Sequence, residues 1–275
     1  MRVGAPPERR KAADWSAIAL YDVVHSQSPA RWYVSVVSGS SPLLASLLVA
    51  IVACNGGSED AVETNYDDTA REISSYELAK MTLTASDFGP EFGGFEPYAR
   101  NGLQNLDQAA SDDFDPPDER ADLERSGFES SYQQFYSAAS ANLRDNPINF
   151  LGSSVTLFKT AEGAANYFRD SDQETSVRIG RTNDQGVTAK AITTFDAHVA
   201  GESRGVHFTG AAANGGEFSI VAVAFRRGRL LGTVAMYGSS ADSTSGVEFE
   251  EKLARLAVQL DEQMGRALAG TIAAP

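Results

Sequence analysis

The most regular pattern in the chain lies in its C-terminal third. From Phe218 to Tyr237 two apolar runs, FSIVAVAF and LLGTVAMY, flank the basic link RRGR. Two strand-length runs joined by a short glycine-containing segment predict a β-hairpin. On its first arm both alternate sets are apolar: Ile220, Ala222 and Ala224 on one side, Val221, Val223 and Phe225 on the other. A strand with no polar side belongs in the middle of a sheet. Beyond the hairpin, Phe249, Leu253, Leu256, Leu260, Met264 and Leu268 recur three or four residues apart, with Glu250, Glu251, Arg255 and Glu262 between them. That spacing predicts an amphipathic helix over 247–269 with one apolar stripe.

Upstream the signals are shorter. Residues 68–81 fit a helix with Ala70, Ile73, Leu78 and Met81 on one side. Residues 83–98, LTASDFGPEFGGFEPY, carry glycines, prolines and four aromatics, the composition of an irregular segment laid over a core. A helix over 112–125 has Asp115 as its cap, Pro116 in its first turn, acids early and arginines late, with Gly127 as its stop. Residues 128–136 and 148–158 read as strands, Thr160 as the cap of a helix from Ala161 to about Asp172, and 187–195 and 206–209 as further strands. Strands joined by short turns, with helices before, between and after them, predict an α+β fold, an antiparallel sheet packed with helices. One domain is expected over 68–270, since no repeat or second boundary is visible.

The N-terminal quarter has a different character. Leu43 to Ala53, LLASLLVAIVA, is an eleven-residue apolar run that ends at Cys54, the single cysteine of the chain. A helix needs about 20 apolar residues to cross a bilayer, so the run is too short to span one. It does have the length of a signal-peptide core. Ile51, Val52 and Ala53 before Cys54 resemble the bacterial lipobox, in which signal peptidase recognises the first three residues and the cysteine receives diacylglycerol. The following NGGSEDAVETNYDD is polar, acidic and glycine-containing, as suits a solvated tether. The expected organisation is a lipoprotein signal peptide over 1–53, a flexible tether over 54–67, and the exported domain. Met1 to Ser41 is long for the basic region of such a leader. Translation is expected to begin at Val24 or Val34, and Arg31 is the nearest basic residue, within the leader only for a start at Val24.

Charge narrows the partners. The whole chain carries a formal −14, and residues 54–275 hold 18 basic and 34 acidic groups, a formal −16. So acidic a surface repels phosphate backbones and anionic headgroups, which argues against nucleic acid and for attachment to a membrane through lipid alone. A lone cysteine allows no intramolecular disulfide.

Candidate chemistry is sparse. Asp112, Asp113, Asp115, Asp118 and Glu119 are dense enough for calcium but lack the glycine and distal glutamate of an EF-hand loop. His198 and His207 have no zinc-motif spacing, and Asp196 two residues before His198 makes no triad by itself. There is no G-x-S-x-G nucleophile elbow, and Gly93-Gly94 and Gly215-Gly216 fit neither a phosphate loop nor a dinucleotide fingerprint. Arg226, Arg227 and Arg229 form the one basic cluster of the hairpin, a charged tip that suits solubility better than an anion site. No catalytic, metal or cofactor-binding residue is assigned, and no cofactor is expected.

Several pieces together resemble an uncharacterised group of bacterial lipoproteins of actinobacterial and Chloroflexi type. They are Met81-Thr82-Leu83-Thr84 with Asp87-Phe88-Gly89-Pro90, Asp115-Pro116-Pro117, Val155-Thr156-Leu157-Phe158, and FRRGRLLGTVAMYG before a terminal amphipathic helix. More distantly, the layout is similar to extracytoplasmic sensor domains of the PsbP/Mog1 type. The chain departs from the kinase-associated members of that type, which use disulfides. These observations lead to the expectation of a lipid-anchored, extracytoplasmic, non-enzymatic module that binds a small apolar ligand or an envelope protein, with 88–98 lining the groove. An envelope hydrolase using two carboxylates, or a small solute-binding component, is the alternative.

Overall fold

The apolar hairpin and the striped C-terminal helix organise everything else. The computed structural model describes residues 71–111, 116–138, 148–177, 179–183, 186–199, 201–238 and 247–270. Ile51, Val52, Ala53, Cys54, the tether and Asp112, Asp113 and Asp115 lie outside them. Among the described residues the chain runs through α1 (Ser75–Met81), α2 (Ala85–Phe88), a 3-10 turn (Pro90–Phe92), β1 (Phe95–Pro97) and β2 (Gly102–Gln104). There follow α3 (Leu106–Ala110), α4 (Pro116–Arg125), β3 (Phe128–Ala138), β4 (Ile148–Phe158) and α5 (Ala161–Val177). The last part is β5 (Thr188–Phe195), β6 (Ser203–Ala211), β7 (Glu217–Arg227), β8 (Leu230–Gly238) and α6 (Val247–Leu268).

The strands form one antiparallel sheet of eight, in the order β1-β3-β4-β8-β7-β6-β5, with β2 also on the outer side of β3. The hairpin β7–β8 sits in the middle, where its two apolar sides require it to be. β4, its neighbour, is buried at every position from Ile148 to Phe158. Helices cover both faces. On the front, Leu78 and Met81 of α1 and Leu253, Leu260 and Met264 of α6 pack against Val155, Val221, Val223, Val234 and Met236. On the rear, Leu123 of α4 and Ala164, Tyr167 and Phe168 of α5 pack against Phe158, Ile220, Ala222, Ala224 and Leu231. Each fully buried Leu or Phe contributes roughly 2 kcal/mol to such a core.

A recurring device sets the sheet's interior shape. Four phenylalanines stand directly opposite glycines on the neighbouring strand: Phe135 and Gly152, Phe195 and Gly205, Phe218 and Gly210, Phe225 and Gly232. In each pair the ring lies over the glycine. A methyl group at Gly152 or Gly205 would stand 2.2 Å from ring carbon, and one at Gly210 or Gly232 2.5 Å. The rings shield backbone that glycine would otherwise leave bare.

Local chemistry explains the boundaries. Ser74 and Glu77 form a capping box, so α1 begins at Ser75, later than the apolar spacing of 68–81 implies. The Thr160 hydroxyl accepts the Gly163 N–H at 2.9 Å and starts α5 as expected. Gly127, at φ 74°, ends α4. The hairpin turn is tighter than RRGR suggests: Arg226 and Arg227 belong to β7, and Gly228 at φ 56° and Arg229 make the turn.

Candidate functional site

Most of the chemistry offered by the sequence is absorbed by structure. The arginine cluster is dispersed into separate ion pairs. Arg226 Nε donates to Glu202 at 2.6 Å, Arg227 makes two 2.6 Å bonds to the Asp261 carboxylate, and Arg229 lies 3.4 Å from Glu129 while also donating to the Arg71 carbonyl. The side chains of Arg227 and Asp261 are largely buried, so the hairpin tip is tied to α6 instead of standing charged in solvent. The Asp196 carboxylate accepts the His198 N–H at 3.0 Å and lies 3.2 Å from its Nδ1, in an exposed turn with His198 at φ 49°. His207 is half-buried in β6, opposite Thr193 and Val221.

The buried carboxylates are also engaged. Glu119 accepts the Tyr167 hydroxyl at 2.6 Å, joining α4 to α5, Asp122 pairs with Arg125, and Asp261 pairs with Arg227. Among the described residues no group of three His, Cys, Asp or Glu side chains is placed to hold a metal ion. The aromatics of 88–98 divide. Phe88, Phe92 and Phe95 are buried in the front core, whereas Tyr98 packs edge-on against Phe150 of the rear core at 5.2 Å. The segment therefore plugs the core on one side and gives one ring to the other.

The rear face itself has two unlike halves. In one, register places Gln133, Ser154, Thr233, Ala224 and Arg204 side by side across five strands. All are buried, and α5 covers this half, with Phe168 5.0 Å beneath the Arg204 guanidinium and Tyr167 against Phe158. The other half, also across five strands, aligns Phe150, Tyr237, Ile220, Phe208 and Ile192. Phe135 stacks on Phe150 at 5.0 Å, and Phe218 contacts both Phe208 at 5.8 Å and Tyr237 at 5.6 Å.

Within this apolar row Tyr237 and Ile192 are only half-buried, as is Tyr98, which packs on Phe150 at the end of the row. Burial alone pushes the Tyr237 phenol up to about 12, with no hydrogen bond acting on it. Tyr136 on the front face makes the contrast. Burial raises it too, but its oxygen accepts Gln134 Nε2 at 2.7 Å. Tyr237 thus places a phenol with no hydrogen-bond partner among the described residues in an apolar, aromatic surrounding. A patch of rings with one unsatisfied polar tip can seat an apolar molecule and fix one polar atom of it. The sequence did not disclose this patch, because its residues come from five strands and the segment before β2, and only register assembles them.

No family model matches the chain, and no curated protein matches it. The lipoprotein-group resemblance thus has no family model behind it. Among solved structures the chain is similar to the extracellular domain of PknH from Mycobacterium tuberculosis, with 13% identity and a TM-score of 0.45, over 70% of this chain and 98% of that one. Among the described residues no helix is long and apolar enough to cross a membrane.

Proposed function

We propose that this protein is a lipid-anchored, extracytoplasmic binding module that takes a small apolar ligand against the rear-face row of Tyr98, Tyr237 and Ile192. The observation that carries the reading is the half-buried Tyr237, whose ring lies 5.6 Å from Phe218 and whose phenol has no hydrogen-bond partner among the described residues. Support for the anchor comes from the sequence: the apolar run to Ala53, the Ile51-Val52-Ala53 recognition residues, and Cys54 as the lipid acceptor. Buried acyl carbons contribute about 0.8 kcal/mol per CH₂, so two or three chains on Cys54 suffice for firm attachment.

Two measurements test the two halves separately. The intact mass of protein extracted from membranes is expected to show a chain beginning at Cys54 and carrying diacylglycerol; a free thiol there removes the anchor. Titration with N-phenyl-1-naphthylamine, a neutral fluorescent apolar probe, is expected to saturate. Replacing Tyr237 by Ala should weaken binding about tenfold, the range of one well-packed aromatic contact, while Val258→Ser on exposed α6 leaves it unchanged. Equal binding by both variants would remove the rear-face site.

A further inference from the structure

The two edges of the sheet are built differently, and the difference points to a partner. On the β3 side the edge is broken into β1 and β2, three residues each, and β1 ends in Pro97. Short strands and proline are ordinary ways of keeping an edge from pairing with another chain. The opposite edge is β5, eight residues long. Near its start Ala189 donates to the Arg181 carbonyl at 3.1 Å and accepts from the Gly180 N–H at 2.8 Å. From Ala191 to Phe195 no described residue pairs with its outer side. That stretch reads Ala-Ile-Thr-Thr-Phe, with no charge, proline or glycine.

We propose that two copies of this chain associate edge to edge through β5, antiparallel about Thr193, making one continuous sheet across both. Charge limits where a second copy can dock: at −14 the copies repel over most of their surfaces, but pairing about Thr193 sets Lys190 of each copy opposite Asp196 of the other. The pair Lys190–Glu217 closes the near end of the stretch without net charge. Register favours it too. Pairing about Thr193 sets Ile192 opposite Thr194 of the second copy, and Ala191 opposite its Phe195. A small residue facing a phenylalanine repeats the Phe–Gly pairing found four times within the sheet. The tether is the other candidate occupant, but its glycines and acids are poor strand formers. Ala191, Thr193 and Thr194 are exposed, as a docking edge requires.

The full-length protein, extracted in detergent, is expected to sediment as a dimer at micromolar concentration. In intact membranes Thr193→Cys should cross-link to a dimer on oxidation, whereas Val258→Cys and the wild type, which holds only Cys54, should not. Thr193→Lys and Thr193→Asp each place like charges opposite one another and should weaken the dimer about tenfold. An equal mixture of the two should restore it, a result that misfolding of either variant would not give. A monomeric wild type, or cross-linking at 193 no greater than at 258, overturns the proposal.

Discussion

The front and rear faces of the same sheet are finished in different ways. The front is closed mainly by α6, 22 residues long, whose apolar stripe lies along the central strands. Polar groups that reach into it are clipped: the Ser153 hydroxyl accepts the Leu83 N–H at 2.8 Å, and Gln263 donates to the carbonyls of Lys80 and Thr82 at 2.7 and 2.9 Å. The rear is covered piecewise by α3, α4 and α5, and there a row of buried polar residues lies beside an aromatic row with half-buried rings. Among the described residues the Thr233 hydroxyl there has no hydrogen-bond partner, and neither has the phenol of the half-buried Tyr237. Unsatisfied groups are costly in a purely structural layer, each by about 1–3 kcal/mol.

Four experiments break or sharpen that contrast. The largest effect belongs to the front: Leu260→Ala, at a wholly buried site, should cost about 2–5 kcal/mol in denaturant unfolding without altering probe binding once folded. Next is Gly152→Ala, where the methyl would meet the Phe135 ring. Overpacking of this kind costs about 1–3 kcal/mol, and Phe135→Leu should relieve part of it, which a double-mutant cycle measures.

A third test is the pH response of the rear face. Tyr237 has a folded pKa of about 12 against an ordinary 10.0. Between those values the folded state holds a proton that the unfolded state has released, so stability falls as pH rises through the interval. Tyr237→Phe should flatten that fall and remove one late step from a phenolate absorbance titration. The smallest effect concerns a surface link between α6 and the 3-10 turn. Lys252 pairs with Glu91 and lies 4.5 Å over the Phe92 ring, and its hydrogen bond is the main cause that holds the Glu91 carboxyl below the usual range. Glu91→Gln should cost under ~1 kcal/mol above the ordinary carboxylate pKa, less in high salt and less as the pH falls below it.

What could be read from the chain follows from how local each signal is. The β7–β8 hairpin, its central place, α6 and the Thr160 cap rest on residues within one or two turns of each other, and they stand as expected. Pairings across the sheet could not be read. Phe135 and Gly152 are neighbours only because β3 and β4 fold back with one register, and a slip of one residue would part them. The arginines looked like a solvent-facing tip because Glu202, Asp261 and Glu129 are remote in sequence. The rear-face site had no local signal either, since Tyr237 reads as the end of an apolar strand. Phe88, Phe92 and Phe95 gave the opposite lesson: aromatics among glycines and prolines suggested a groove, and the structure spends them on the front core.

Arg71 bonds to the carbonyl of Leu268, and Arg229 bonds to the carbonyl of Arg71. Residues 71 and 268 therefore lie side by side, at the corner held by the hairpin turn. Two positions that close can be joined by a short linker and new ends opened in an exposed turn elsewhere, as long as the corner stays intact.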